Sequence, residues 1–379
     1  MTAPSTARPL LALQSWGAAT ALGHSTAQTL SSLLGGLSAF RRLHLPELCA
    51  EPLICAPCRH ALGAGQERGA QRLQPLLQSA LAEALAGLPL PARPSARGSH
   101  LLCLLILPRW ADSAMAQQLV RATEQTLAAH PLWHHLGRRR GNVTLHDSNG
   151  AAHALRSAYA ALESDAPPDH MVIAAADSWL EPSVFESAAR AGWVLSQGAA
   201  KGPQGFVAGE AAACLVLRPC ASIQHLPPGG FALHRPGLHD APAGRWPSAV
   251  EGNGQSLNTA AEQALLQAGL KAEHLSHLAS DTDGSGWRVM DELRLQQRAL
   301  ASVIQTPHVL RIADQLGQPG LASQPLMWAL LAEKEARHLD RVNAALTWSL
   351  GLDQSTSAVV MERSPRRAAR WAPGAQSHG

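Results

Sequence analysis

Short, unbroken apolar runs alternate along this chain with longer stretches in which apolar residues return every three or four positions. Leu101 to Leu107 (LLCLLIL) is the clearest run. It is too short for an ordinary helix and apolar at consecutive positions, which predicts a strand buried on both faces. Ser113 to Ala129 follows with Met115, Leu119, Val120 and Leu127 on one side of a predicted helix. The alternation continues with a strand at Asn142 to Leu145, a helix at Gly150 to Leu162, and strands at Met171 to Ala176 and Ala211 to Leu217. It resumes with a helix at Thr259 to Ala268, a strand ending over Leu278 to Ser280, and helices at Met290 to Ile304 and Leu326 to Leu339. Two strands around a turn fill Ala344 to Met361. Alternating strands and helices predict an α/β fold whose sheet is mainly parallel and covered by helices.

Breaks in the pattern divide the chain. Pro219 to Gly254, rich in Pro, Gly and His, reads as the connection between two halves, 1–218 and 230–363. Residues from about 35 to 100 are less regular and read as an inserted cap. The end of the chain, 364–379, with Arg366, Arg367 and Arg370 among Pro, Ser and Gly, reads as a flexible tail.

Composition narrows the function classes. With 379 residues, 46% hydrophobic and 16% charged, the chain can bury a substantial core and is not a mainly disordered protein. No apolar run reaches the roughly 18 residues of a membrane-spanning helix, so no membrane role is expected. A net charge of +3 and 4% aromatic residues argue against nucleic acid as a partner. The apolar stretch after Arg8 is interrupted by Gln14 and Ser15, unlike a secretion signal. Six scattered cysteines fit a reducing cytoplasm.

Three local features carry possible chemistry. Cys55 and Cys58 have the spacing of half a zinc site that Cys49 and His60 would have to complete; without a second such pair, incidental spacing is the simpler reading. Arg138-Arg139-Arg140 reads as a solvated face or as a landing point for an acidic partner. Asp281 and Asp283, followed by Gly284, read as turn chemistry, and the scattered tryptophans as packing anchors.

Motifs spread over nearly the whole chain resemble the β-ketoacyl synthases of the thiolase superfamily. Gly17 to Gly23 (GAATALG) and Leu34 to Ala39 (LGGLSA) resemble the opening of that family, Ala174 to Ser178 (AAADS) its short Gly- and Ala-rich loop, and Gly205 to Leu217 (GFVAGEAAACLVL) its GFxxGEGAxxLVL segment. The resemblance implies a thiolase fold: two pseudo-repeated βαβαβ halves in a five-layered α-β-α-β-α sandwich, paired as a homodimer. Glu210 would tie loops together.

The same resemblance implies a changed active site. The nucleophilic cysteine, activated at a strand-to-helix turn by the helix N-terminus, is replaced by Ser148. The first histidine position is Asp281, the second is Gln318, and the gate position in the family's Gly-Phe-Gly-Gly loop is Leu352. A serine hydroxyl needs a base, for which His146, His153 and Asp281 are the candidates. Asp147, Ser148 and Asn149 are equally good helix-capping residues, so capping and nucleophilic roles both stand. Loss of the thiol and both imidazoles removes attack, decarboxylation and carbonyl polarisation together. The expectation is a non-catalytic scaffold that needs no cofactor or metal and binds a protein partner. The combination ADS, GFVAGEAAA, DTDGSGW and LGQPGLAS further resembles a divergent bacterial branch associated with type VI secretion, so the partner would be a secretion effector or an acyl carrier protein. An acyltransferase using Ser148, or a silent partner subunit of an active ketosynthase, is the alternative.

Overall fold

A computed structural model describes residues 9–45, 48–59, 67–88, 99–131, 136–146, 149–196, 205–240, 254–303, 307–351 and 353–365. The chain begins with β1 (Leu10–Thr20), α1 (Thr26–Leu34), the short pair β2 (Arg41–Leu43) and β3 (Leu53–Ala56), and α2 (Ala70–Ala86). It continues through β4 (Ser99–Pro108), α3 (Ser113–Ala129), β5 (Leu136–His146), α4 (Gly150–Leu162), β6 (His170–Ser178), α5 (Pro182–Arg190) and β7 (Ala208–Cys220). Next come β8 (Phe231–Leu233), β9 (Gly237–His239), α6 (Gln255–Ala268), β10 (His277–Ser280), α7 (Gly286–Gln297), β11 (His308–Arg311) and α8 (Ala313–Leu316). The last elements are α9 (Ser323–Ala336), β12 (Ala344–Leu350) and β13 (Thr356–Arg363).

Strand order exposes a repeat. One end of the sheet runs β5-β4-β6-β7-β1 and the other β11-β10-β12-β13-β8, and β8 joins them by pairing with both β1 and β13. In each half the first three strands are parallel and the fourth is antiparallel to the third.

Side-chain alternation then builds the layers. On β4, Leu104 and Ile106 face one core while Leu101, Leu105 and Leu107 face another. On β7, Ala211, Ala213, Leu215 and Leu217 share the first core, and Ala212, Cys214 and Val216 the second. The first core also holds α4, α9 and the inward residues Ala345, Val359 and Met361 of the other half's strands. The second core is closed by α2 and α3, and a third, under Leu346, Trp348 and Val360, by α6. Helices α4 and α9 therefore lie between two sheet halves whose outer faces carry further helices. A strand buried on both sides must be apolar at every position, which is why these strands read as continuous runs.

The structure departs from the sequence expectations at several points. The sheet is mixed and not mainly parallel, with antiparallel pairings running through its middle from β6 to β12. Inside the stretch expected as a cap, α2 packs along β1 and β7 and is part of the body. The expected connection from Pro219 to Gly254 contributes β8 and β9 to the sheet. The helix expected over Met290 to Ile304 begins at Gly286 and stops at Gln297, and the chain then turns so that Leu300 is buried beside Leu295.

Two glycines mark equivalent points of the repeat. A Cβ on Gly17 of β1 would lie 2.1 Å from Ala80 O and 2.7 Å from Ala84 N of α2. A Cβ on Gly237 of β9 would lie 1.9 Å from Ala260 O and 2.8 Å from Ala264 N of α6. Each outer helix thus rests on strand backbone, with Ala at matching i and i+4 positions to allow the approach.

Glu210 is 1% exposed. It accepts hydrogen bonds from Arg72 Nε at 2.7 Å, Ser178 Oγ at 2.7 Å and Cys58 N–H at 2.8 Å, tying α2, β6 and the segment after β3 to β7. No helix among the described residues is long and apolar enough to cross a membrane.

Because helix backbone cannot retreat from a strand as a flexible side chain would, Gly17→Ala and Gly237→Ala should each destabilise the protein by about 1–3 kcal/mol. Denaturant midpoints at unchanged m-value would measure this, and a midpoint equal to wild type in either variant would contradict the close approach.

Candidate active site

The N-terminus of α4 enters between the halves, where the Gly150 backbone lies against Ile106, His146 and Leu321. Ser148 lies outside the described residues. Its neighbour Asn149 occupies the N-cap position with φ −89° and ψ 14°, but its side chain does not cap the helix. That side chain is buried, and among the described residues neither amide atom has a hydrogen-bond partner.

His146 at the end of β5 and His153 in α4 stack, with ring centroids 4.6 Å apart and planes 22° apart. Arg156 donates to His153 Nδ1 at 2.8 Å, so Nε2 carries the proton and faces Asp240 Oδ1 at 2.9 Å. Burial, with His153 and Arg109 nearby, pushes His146 down to about 4, and burial also lowers His153. Both imidazoles are accordingly neutral near pH 7.

The two expected histidine positions do come together. Asp281 follows β10 and Gln318 precedes α9, and the Gln318 side-chain N–H donates to the Asp281 backbone carbonyl at 3.2 Å. Gln318 Oε1 accepts from Ser323 Oγ at 3.1 Å and from Gly320 N–H at 3.2 Å. The Asp281 carboxylate accepts from the Ser349 hydroxyl and from Leu350 N–H at 3.1 Å. Burial pushes its acid up to about 6 against the opposing pull of Arg288 and these hydrogen bonds.

Arg288 completes the cluster and was not singled out by the sequence. Its guanidinium, 2% exposed, donates to Asp283 Oδ2 at 2.7 Å and to Leu350 O at 2.6 Å. It also approaches the Asp281 carbonyl at 3.4 Å. The available signal was an arginine seven residues after Asp281 and five after Asp283, within the first turn of a helix. A buried guanidinium requires a paired carboxylate, and Asp283 supplies it. Asp283 is therefore an ion-pair partner as well as a turn residue.

The loop carrying Gln318 is held on the first half. Gln318 N–H donates to Val207 O at 2.7 Å, Gly209 N–H donates to Gln318 O at 3.2 Å, and Leu321 N–H donates to Asp177 Oδ2 at 3.0 Å. Gly320 has φ +58°, and a Cβ there would sit 2.0 Å from Asp177 Oδ2. Asp177 of the ADS segment thus positions the loop that carries Gln318. Leu352, expected at the gate, lies outside the described residues.

The sequence-level zinc candidate looks different in three dimensions. Cys58 Sγ donates to Glu210 O at 3.3 Å and Cys55 Sγ to Arg41 O at 3.7 Å. Burial, with Glu210 nearby, raises both thiols, Cys55 to about 11, which disfavours the thiolate a metal needs. His60 lies outside the described residues. Arg138 to Arg140 fall within β5, at the sheet edge.

No protein-family model matches the sequence, and no curated protein does. Solved structures do share its fold. An oxazolomycin ketosynthase domain of Streptomyces albus JA3453 superposes with a TM-score of 0.72 at 12% identity, over 95% of this chain and 75% of that one. A type II polyketide synthase acyl-carrier protein in complex with its ketosynthase bound to the hexaketide gives 0.71 at 13% identity, over 94% of this chain and 100% of that one. The ishigamide ketosynthase/chain length factor gives 0.64 at 16% identity, again over 94% and 100%. The chain has the thiolase-type α/β fold of these ketosynthases, at 12–16% sequence identity.

A carboxyl group that titrates near 6 inside the fold, against an ordinary value of 3.8, is protonated more readily in the folded than in the unfolded chain. Its contribution should therefore make the protein more stable as pH falls from about 6 toward 4, by up to about 3 kcal/mol. Denaturation midpoints of wild type and Asp281→Asn across that window should differ in slope by this contribution, and parallel profiles would contradict it.

Proposed function

We propose that this chain is a non-catalytic ketosynthase-fold protein that binds a protein partner. Its two halves, 1–218 and 230–363, would act as one rigid unit. The observation that carries the reading is the closed network at the expected histidine positions. Gln318 spends its amide on Asp281, Ser323 and Gly320, while Asp281 spends its carboxylate on Ser349 and Leu350. Arg288 and Asp283 neutralise each other beside them, with both side chains 2% exposed. An amide can neither accept nor release a proton at neutral pH. A carboxylate already bonded through both oxygens is a poor substitute for an imidazole aimed at substrate.

The second reading is an acyltransferase using Ser148. It draws support from the neutral His146 and His153 beside the start of α4, and from the Asn149 amide next to the serine, which has no partner among the described residues. Intact-mass analysis after incubation with acyl-CoA and acyl carrier protein separates the two. The non-catalytic reading expects no acyl adduct; an adduct lost in Ser148→Ala would overturn it in favour of the acyltransferase.

For the partner, the fold likeness to a ketosynthase/chain length factor and to a ketosynthase in complex with its acyl-carrier protein supports an acyl carrier protein or an active ketosynthase. The sequence branch described above supports a secretion effector of the type VI class and a cytoplasmic location. Self-association is expected through β5, which ends the strand order and, among the described residues, has one backbone edge unpaired. Sedimentation should give a dimer for wild type and a monomer for Val143→Pro, a substitution that removes a strand N–H; a dimer in both would place the contact elsewhere.

A further inference from the structure

A cluster of basic and acidic groups stands at the opposite end of the second half's parallel strands from Asp281. His277 and His308 open the neighbouring strands β10 and β11 and are directly paired in register. Asp340, in the turn between α9 and β12, points a single oxygen at both. His277 Nε2 is 3.0 Å from Asp340 Oδ2, His308 Nδ1 is 3.4 Å from it, and Lys334 Nζ is 2.8 Å from it. A carboxylate oxygen offers about two lone-pair directions, so three basic nitrogens converge on more than it can serve.

We propose that His277, His308 and Asp340 form a binding site for a zinc-class divalent cation that fastens β10, β11 and the α9–β12 turn together. One ligand atom from each residue lies within 4.8 Å of the others, and among the described residues this is the group of ligand-type side chains so assembled. Tetrahedral zinc, with Zn–N and Zn–O distances near 2.0–2.2 Å, places its ligand atoms about 3.3–3.5 Å apart, a spacing that the two histidine contacts to Asp340, at 3.0 Å and 3.4 Å, already approach. Two imidazoles and a carboxylate suit zinc better than magnesium or calcium, and water would complete the tetrahedron.

The residue behind His277 fits the role. Ser276 Oγ lies 3.0 Å from His277 Nδ1 and 3.1 Å from Ala344 O. Nε2 now donates to Asp340; binding moves that proton to Nδ1, where the Ser276 hydroxyl, itself donating to Ala344 O, accepts it, the hydrogen bond that fixes the tautomer of a liganding histidine. Two rearrangements accompany binding. The imidazole rings now lie nearly face to face, 17° between planes, so the His308 ring must turn to aim Nδ1 at a shared ion; at 65% side-chain exposure it has room to do so. Lys334 must leave Asp340, and its ammonium is the charge that holds the carboxylate until metal arrives.

Lys334 makes the test discriminating. Metal-stripped full-length protein is titrated with zinc chloride and, separately, with cobalt(II) chloride, reading stoichiometry, Kd, thermal midpoint and the visible cobalt band. Wild type should bind one equivalent more than His308→Ala, or bind at least about tenfold more tightly, a factor that even outer partners of liganding groups reach. Lys334→Gln should bind zinc several-fold more tightly than wild type, because the competing cation is gone. A purely structural ion-pair network would lose midpoint in that variant and gain no affinity. Equal zinc stoichiometry and affinity in wild type and His308→Ala, or weaker zinc binding in Lys334→Gln, would overturn the proposal. His308 is exposed, so its alanine variant is expected to fold, and the chain's other histidines are controlled for by the comparison.

Discussion

The loop from Gly317 to Leu321 is the constraint on which the rest of this molecule depends. It leaves the second half just before α9, the helix that lies between the two sheet halves, and is fastened to the first half by backbone hydrogen bonds to Val207 and Gly209 and by the Asp177 carboxylate. Leu321, Ala322 and Leu326 then enter the shared core beside α4. A flexible loop here would leave the inner faces of both halves without a common packing partner. Only a residue lacking Cβ fits at Gly320, because the Asp177 oxygen occupies that volume and the backbone is left-handed.

That clamp also determines what chemistry is available. By fixing the backbone of Gln318 it points the side-chain amide at the Asp281 carbonyl, and by doing so it joins the ends of β10 and the β7 side of the first half. Arg288 then bridges the same corner to Leu350 and Asp283. Buried ion pairs are often energetically neutral against an apolar replacement, whereas removing one partner is costly. The pair therefore specifies one arrangement of loops more than it adds stability. At this corner the buried polar groups face one another.

Much of this was legible in the sequence because the strands are buried on both faces. Leu101 to Leu107 and Met171 to Ala176 could hardly be anything else, and the helix bounds at Ser113–Ala129 and Gly150–Leu162 coincide with the structure. Elements that depend on tertiary contacts were harder to see. Helix α2 carries Pro75 in its interior, and β8 and β9 are three-residue strands set among Pro and Gly, held by the neighbours they pair with. The expected α7 runs past the observed end because Leu300 continues the apolar period, yet that residue is buried through a turn. At the site, motif register brought Asp281 and Gln318 to one place, but no periodicity announces that Arg288 points inward. Charge at a helical position reads as solvent-facing until its carboxylate partner is located in space.

The repeat itself is held by contacts that involve no reactive group. Gly17 of β1 against α2 and Gly237 of β9 against α6 are matching close approaches in the two halves, and each is required by backbone contact alone. Requirements of that kind do not involve a nucleophile or an imidazole. Glu210, satisfied by Arg72, Ser178 and Cys58, is of the same kind: its hydrogen bonds hold three elements together far more securely than any exposed pair would. A chain that keeps these contacts keeps the five-layered body, whether or not the groups at the head of α4 and before α9 can move a proton.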